Sequence, residues 1–433
     1  MGNYTEILDY NAENLLLEED DYKEKLLQIA TLFRGFGEAF TEFMVKHGYS
    51  GAIDDVDAKA KFLRDKYKQK GIKPPRDFKE WFLPMKNVKR KTIYPICFAF
   101  DLNLSETEEL FRCVQFERSL DCHTINEAVY YFCIKNQLPY SIAEDIISKI
   151  PKIKKNETLP KQEILYTGTI VEYINSISDS EKLIRYIIDN LHVFEYNNAT
   201  AIKYIQKLWL EISKNDGLAT QEGQLIDKAK NQYQDRSKKG DTDNRLKEVI
   251  ETETKREDEL KLDDYVISED GASTWTIFSQ IIGLDNKNEK KFAIQYDRQI
   301  SSVLKDSTLL PLNASYAFPS QHSIDRLLRG ELNVDNELIR KMLIFLVFYT
   351  YWAKKIIKNK NIFYEATISD SEGCLDTINA YLTDAGYPEL YVGNPYDWLF
   401  RWALNDINPL EAFRFYMSEI LTINEEQADS EEQ

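Results

Sequence analysis

The chain of 433 residues has a formal charge of −17, and 43% of its residues are hydrophobic and 12% aromatic. This composition is typical of an ordered globular protein with two or three domains, and it excludes a largely disordered chain. Glycine and proline number only 16 and 12, too few for an all-β fold built on tight turns. Nearly every segment shows helical spacing of its apolar residues, which predicts an all-α protein of many helices in two helical halves.

An N-terminal helical segment is predicted at residues 1–57. Its first residues, MGNYTEILDY, lack a basic stretch followed by an apolar one, so we expect no secretory signal. Glu6 stands where the N-myristoylation pattern has Ser or Thr. We therefore expect a cytoplasmic protein.

The next segment concentrates positive charge. Residues 61–94 contain twelve Lys or Arg and three Asp or Glu, a local balance of +9, so the rest of the chain carries −26. A one-signed cluster in an acidic chain favours contact with a polyanion such as nucleic acid. The alternative is that these side chains form a solvated helix face.

Residues 58–150 are predicted to form a helix-turn-helix-like module with a helical extension. A basic amphipathic helix, AKAKFLRDKYKQK, ends at Gly71, which is typical of a C-terminal cap. The following PPRDFKEWF places Phe78, Trp81 and Phe82 on one inward face, and Ile93, Ile96, Cys97 and Phe100 form a second inward stripe.

The module at about residues 58–115 resembles the second half of a lambda-repressor-type helix-turn-helix domain, a resemblance that rests on RDFKEWFLPMKNVKRKTIYPICFAFDLNLSETEELF. In that family a short helix ending in Trp is followed by a turn with basic residues, a longer helix and a closing helix. The family's separate second helix is not evident between Gly71 and Pro75. The resemblance implies double-stranded DNA as the partner.

In this resemblance two residues, Arg76 and Lys79, would present base-reading groups, and a basic turn would contact phosphates. The predicted nucleic-acid-binding residues are Arg76, Lys79, Lys86, Asn87, Lys89, Arg90 and Lys91.

The five cysteines are scattered through the chain, which favours buried, reduced thiols over a disulfide framework. Cys113, Cys122, His123 and Cys133 lie within about twenty residues, yet their spacing fits no zinc pattern. The sequence also has no Walker A loop, dinucleotide-binding glycine fingerprint, HExxH or GxSxG motif. We predict no metal and no cofactor.

Two short segments place an arginine before a histidine: RSLDCH, from Arg118 to His123, and RYIIDNLH, from Arg185 to His192. This spacing resembles the signature of HEPN-type ribonucleases, which are all-α and frequent in phage defence. The resemblance implies acid–base work by the histidine and stabilisation of the phosphate by the arginine. Ser or Tyr follows these arginines, where the family favours Asn, Asp or His. The alternative is that both pairs are surface or packing residues.

The remaining divisions follow composition. We predict a helical middle segment at residues 151–214. Residues 215–265 are charged and poor in aromatics, which predicts a linker, with an exposed helix in part as an alternative. A C-terminal helical domain is predicted at residues 266–421, and an acidic disordered tail at residues 422–433. The apolar run Met342–Trp352 is too short to span a membrane, so we expect a buried core helix and no membrane partner.

Helix starts are predicted at three capping boxes and one Asn-Pro pair. These starts are Ser105/Glu108, Ser178/Glu181, Ser369/Glu372 and Asn408-Pro409.

The two halves have a similar spacing of apolar residues, which suggests diverged copies of one unit at roughly 58–150 and 300–421. Pro75 is matched to Pro319, Trp81 to Leu327, and NEAVYYFCIKNQLPYSIAEDII to NPYDWLFRWALNDINPLEAFRF. The alternative is a chance match of amphipathic helices. Residues 319–345 carry four Lys or Arg and four Asp or Glu, so we assign no DNA contact to the second copy.

Three functional hypotheses follow. The first is a DNA-binding helix-turn-helix regulator, with a C-terminal half that dimerises or binds a protein partner. Such a module with large helical extensions resembles bacterial proteins of mobile elements and antiviral defence. The second is a non-catalytic protein-interaction scaffold of a defence system, and the third is the HEPN-like ribonuclease, an abortive-infection effector. The sequence favours a non-enzymatic protein, such as the regulator or the scaffold, over an enzyme.

Overall fold

The computed structural model describes residues 2–15, 25, 28–29, 32–83, 88–151, 167–194, 198–237, 274–282, 321–331 and 336–414. Its first nine α-helices are α1 Gly2–Asn14, α2 Phe36–Lys46, α3 Val56–Gln69, α4 Arg90–Ala99, α5 Leu104–Leu110, α6 Ile125–Lys135, α7 Tyr140–Lys149, α8 Thr167–Ser176 and α9 Ser180–Asp189. The other seven are α10 Ala199–Ser213, α11 Leu218–Ser237, α12 Thr274–Ile282, α13 Gln321–Leu328, α14 Asn336–Asn359, α15 Ile368–Asp384 and α16 Pro395–Ala403.

Three shorter helical pieces complete the described structure: 3₁₀ helices at Phe78–Phe82 and Leu191–Val193, and a π-helical turn at Phe111–Gln115. The described residues contain no β-strand, so the prediction of an all-α, multi-helix fold is confirmed.

Two separate hydrophobic cores organise these helices. The first is built from residues 36–194, which include α2 to α9. The second contains α1 and α10 to α16. The division therefore falls between Phe194 and Ala201, inside the middle segment that composition alone had outlined.

The predicted N-terminal segment, residues 1–57, is divided between the two cores. Helix α1 packs on the second core, and α2 packs on the first. The indole N–H of Trp398 donates to the carbonyl of Leu8 at 2.9 Å, and that of Trp402 to Leu15 at 3.0 Å. These hydrogen bonds satisfy two buried donors and attach α1 to α16.

The predicted charged linker is in part a packed helix. Leu218 and Ala219 of α11 are buried in the second core, and Glu222 is 2% exposed. The Glu222 carboxylate accepts hydrogen bonds from Tyr349 at 2.8 Å and from Arg414 at 2.9 Å. The start of the predicted linker is thus part of the second core. Its residues after 237 lie outside the described residues.

The long helix α14 forms the middle of the second core. Its residues Met342 to Trp352 are buried, except Tyr351, which is half-buried, so the prediction of a core helix is confirmed. Across the described part of the chain, every helix is too short or too polar to cross a lipid bilayer.

The predicted capping boxes are displaced by one or two residues. The box of α5 uses Asn103 and Glu106, and that of α15 uses Thr367 and Asp370. The N-cap of α9 is Asp179, whose side chain accepts from the amide of Glu181. Near each of these helix starts, the sequence therefore offers a second capping residue one or two positions from the predicted one. Pro409 does begin a helical stretch, as predicted.

The two halves share one buried feature, an arginine at a helix start that pairs with a carboxylate in the first turn of a later helix. Arg90 of α4 binds Glu127 of α6, and Arg340 of α14 binds Asp397 of α16. Each carboxylate also accepts a backbone N–H from the residue six positions earlier, Asp121 in one case and Tyr391 in the other. We call each arrangement a clamp.

The clamps support two copies of one unit, in a different register from the one that apolar rhythm suggests. Glu127 corresponds to Asp397, and with the same spacing Pro139 corresponds to Pro409. The predicted match, which begins with Asn126 over Asn394, is therefore shifted by two residues. Pro319 lies outside the described residues, so its match with Pro75 stays a prediction.

Candidate nucleic-acid interface

Helix α3 supports the first part of the basic region. The Asp55 side chain caps it by accepting the amide of Ala58 at 2.9 Å, which satisfies one of the free N–H groups of the first turn. Leu63 and Tyr67 are buried on its inner face, and Lys61 and Lys68 are exposed one heptad apart on its outer face.

The 3₁₀ helix Phe78–Phe82 packs on α3 through aromatic side chains. Tyr67 lies edge-on to Phe78 at 5.2 Å, and Phe78 lies edge-on to Trp81 at 4.8 Å. Phe78 and Trp81 are buried, and Phe82 is half-buried against the first core, so the predicted inward face is confirmed. This packing fixes the connection from Lys70 to Asp77 against the first core.

Six exposed cations in this region form no ion pair with a described residue, and we call them the basic segment: Lys61, Lys68, Lys73, Arg76, Lys89 and Lys91. They lie on α3, on the connection after it, and at the start of α4. Exposed carboxylates at Asp65, Asp77 and Glu80 lie among them. The charge on this surface is therefore mixed, with cations in excess.

Other cations of the region already have partners. Lys79 pairs with Asp57 of α3, and Lys70 pairs with Asp101 at 2.5 Å. The Lys59 ammonium is buried over the ring of Phe82 at 4.3 Å. Lys79 is thus less available to read a base than its place in the sequence suggests, although exposed pairs of this kind are weak.

Arg90 is not part of an exposed basic turn, which corrects the prediction for that residue. Its side chain is 13% exposed and forms ion pairs with Glu117 at 3.1 Å and Glu127 at 2.8 Å. Burial alone would lower the pKa of Arg90, but the Glu127 carboxylate raises that pKa well above its usual value. The same ion pair keeps the pKa of Glu127 below its usual value despite burial. Arg90 is therefore a fixed structural charge.

The helices near the basic segment offer little for reading bases. The helix that ends beside Trp81 has five residues in 3₁₀ geometry, and α4 contains Pro95 and buries Ile93, Ile96 and Cys97. A helix that reads the major groove must expose several side chains along one face. The predicted sites at Lys86 and Asn87 lie outside the described residues.

The arginine–histidine pairs of the nuclease hypothesis differ in exposure. Arg118 is 2% exposed and pairs with Asp121, and His123 is 2% exposed with its Nδ1 3.3 Å from the carbonyl oxygen of Val193. Arg185 and His192 are exposed. An acid–base histidine must reach its substrate, and His123 does not reach the surface. The geometry favours the packing alternative for the first pair.

All five cysteines are buried and free, as predicted. No group of three or more potential metal ligands occurs among the described residues. The residues that sequence reasoning missed are Glu117 and Glu127, which neutralise Arg90. Glu127 sits between buried residues of α6, so an acidic residue on an apolar face was the available signal.

Comparison of the chain with family models, with curated proteins and with solved structures gives no match.

Proposed function

We propose that the chain is a double-stranded DNA-binding protein whose N-terminal half contacts phosphates through the basic segment. The observation that carries this proposal is that six exposed cations without ion pairs to described residues occur within residues 61–91 of a chain with net charge −17. Phosphate contacts by Lys and Arg release counterions and supply affinity that does not depend on sequence.

The proposal differs from the helix-turn-helix expectation in one respect. The short 3₁₀ helix and the largely buried α4 favour backbone contact over base reading. We therefore expect little discrimination between DNA sequences. A regulatory role would then depend on a partner bound elsewhere on the chain.

The test is a salt titration of binding to a random-sequence duplex. The variant changes Lys68, Lys73, Lys89 and Lys91 to Gln, and the matched control changes Lys203, Lys207, Lys214 and Lys358, which are exposed lysines of the second core's helices and loops. The slope of log affinity against log salt should fall by about 0.9 for each lysine that contacts a phosphate. The control should keep the parent slope.

Two results would contradict the proposal. One is absence of binding by the parent at about 50 mM salt, where phosphate contacts are strongest. The other is an equal loss in both variants, because that would reflect net charge and not a surface. Absence of binding would leave the protein-interaction scaffold as the better hypothesis.

A further inference from the structure

The two cores are in contact at several places, including the Arg112 guanidinium over the Tyr391 ring, and one of these contacts is made by a loop of the first core. Residues 116–121, which we call the joint loop, leave the first core and touch the second. Phe116 stacks on Tyr391 with ring centroids 6.5 Å apart, and the Arg118 guanidinium lies 5.5 Å from the ring centroid of Tyr387. The hydroxyl of Tyr387 donates to the Asn198 side chain at 2.7 Å. Tyr387 is thus in contact with Arg118 through its ring and with Asn198 through its hydroxyl.

The joint loop begins in a strained conformation. Phe116 has φ of +56° and ψ of 30°, a left-handed geometry that a bulky aromatic residue rarely adopts. It follows directly on the π-helical turn Phe111–Gln115, a form that occurs mostly as short insertions, often at functional sites. Such a conformation persists only where the surroundings hold it, and Tyr391 is one of the side chains that do so.

The same loop also holds the start of α4. The Arg90 guanidinium donates to the carbonyls of Arg118 at 2.6 Å and of Ser119 at 2.5 Å. It further pairs with the Glu117 carboxylate. Arg90 lies between Lys89 and Lys91, two members of the basic segment. The position of these lysines therefore depends on the joint loop.

The second clamp differs from the first in this connection. Arg340 donates to both oxygens of Asp397 at 2.7 Å, and it has no hydrogen bond to a loop carbonyl within the part of the chain that the structure describes. A clamp holds its two helices together without such carbonyl contacts. The extra bonds of Arg90 couple α4 to the joint loop in the first unit.

We propose that Tyr387 is a positioning residue for the basic segment: it holds the joint loop, which through Arg90 sets the direction in which Lys89 and Lys91 are presented. A partner that moves the C-terminal half would thereby change DNA contact. The proposal rests on the proposed function, and its test separates the two.

The first measurement needs no DNA. It follows the Arg90 side-chain N–H signals by NMR and the amide exchange of Glu117 and Asp121, which donate to Phe111 and Glu127. Tyr387→Leu should shift the Arg90 signals and speed both exchange rates. The control Tyr381→Leu removes a tyrosine of α15 that packs on Tyr204 and not on the joint loop, so it should leave both unchanged. Tyr387→Phe keeps the ring over Arg118 and tests the hydroxyl alone.

The second measurement is a double-mutant cycle on DNA affinity. Tyr387→Leu should lower the salt slope by up to about 1.8, the value for two lost phosphate contacts, as Lys89→Gln with Lys91→Gln should. Combined, the three changes should lose no more than the lysine pair alone, because all act on the same contacts. Fully additive losses, or unchanged binding by Tyr387→Leu, would overturn the proposal.

Failure of the two proposals gives different results. If the parent binds no DNA, the proposed function fails, and the NMR and exchange data alone decide whether Tyr387 positions α4. Unchanged Arg90 signals in Tyr387→Leu would overturn the positioning role whatever the DNA result.

Discussion

The Arg340 guanidinium meets the Asp397 carboxylate through two hydrogen bonds of 2.7 Å, with side-chain exposures of 2% and 1%. Both charges are removed from water, so each depends on the other for solvation. The pair joins the start of α14 to the first turn of α16, and the Arg90–Glu127 pair joins α4 to α6 in the same way.

Removal of Asp397 should destabilise the protein strongly. We expect Asp397→Ala to lower the free energy of unfolding by about 3–5 kcal/mol, because it leaves Arg340 buried without the carboxylate to which it is hydrogen-bonded. The double change Arg340→Met with Asp397→Leu should cost much less, since it removes both members of the ion pair together. Asp145→Ala, which breaks the exposed pair with Lys149, should cost at most about 0.5 kcal/mol. Urea unfolding measures all three, and equal costs for Asp397→Ala and Asp145→Ala would contradict the burial argument.

Acid should unfold the first core through its buried carboxylates. The Arg90 charge lowers the pKa of Glu127, and Arg118 lowers the pKa of Asp121, in both cases against the effect of burial. A carboxyl with a lowered folded pKa stabilises the protein above its unfolded pKa of about 4. That contribution is lost as the pH falls through the folded pKa.

The melting temperature of the parent should therefore fall steadily below about pH 5. Glu127→Gln should start from a lower melting temperature at pH 7, because Arg90 loses a counter-charge. Its melting temperature should also depend less steeply on pH, since one of the two carboxyls is absent. Parallel melting curves for the two proteins would show that Glu127 is not linked to acid stability.

The displaced cap of α5 gives a local prediction. Asn103→Ala should cost about 1 kcal/mol, because its side chain accepts the amide of Glu106 and completes a capping box. Ser105→Ala changes an exposed residue inside the helix and should cost much less. Chemical denaturation of the two single variants compares them directly, and a larger loss at Ser105 would favour the cap that the sequence predicts.

Glu222 tests whether the start of α11 is part of the core. Glu222→Ala should lower the free energy of unfolding by about 3–5 kcal/mol, because it removes the buried carboxylate that pairs with the partly buried Arg414 and accepts the Tyr349 hydroxyl. Asp227→Ala, an exposed change on the same helix, should stay within about 0.5 kcal/mol. Similar small effects at both positions would indicate that α11 behaves as a linker.

Local sequence patterns predicted the helices and their buried faces well, but they predicted poorly which charged side chains are exposed. Ile93, Ile96 and Cys97 are buried as their spacing indicated, because helical periodicity records which face is apolar. Arg90 was misplaced because its partner Glu127 lies 37 residues further on. A basic run in sequence does not show which of its members a distant carboxylate will remove from the surface.

The division of the chain was equally hard to predict. Residues after 215 are rich in charged side chains, which suggested a linker, yet Glu222 is buried and paired with Arg414. Composition does not distinguish a solvated charge from a paired one. The clamps were also not predicted from the sequence. The spacing of apolar residues alone allows the two halves to be aligned in registers that differ by two residues.

The attachment of α1 to Trp398 has a consequence for biosynthesis. The two bonded residues are separated by 390 positions, so α1 leaves the ribosome long before its packing surface exists. At about 5–20 residues per second the wait is roughly 20 to 80 s. During that interval residues 36–194 of the first core have been synthesised, while Leu8 and Ala12 still lack the residues of α16 on which α1 packs. Closure of the second core by the first helix is therefore one of the last steps in maturation of the nascent chain.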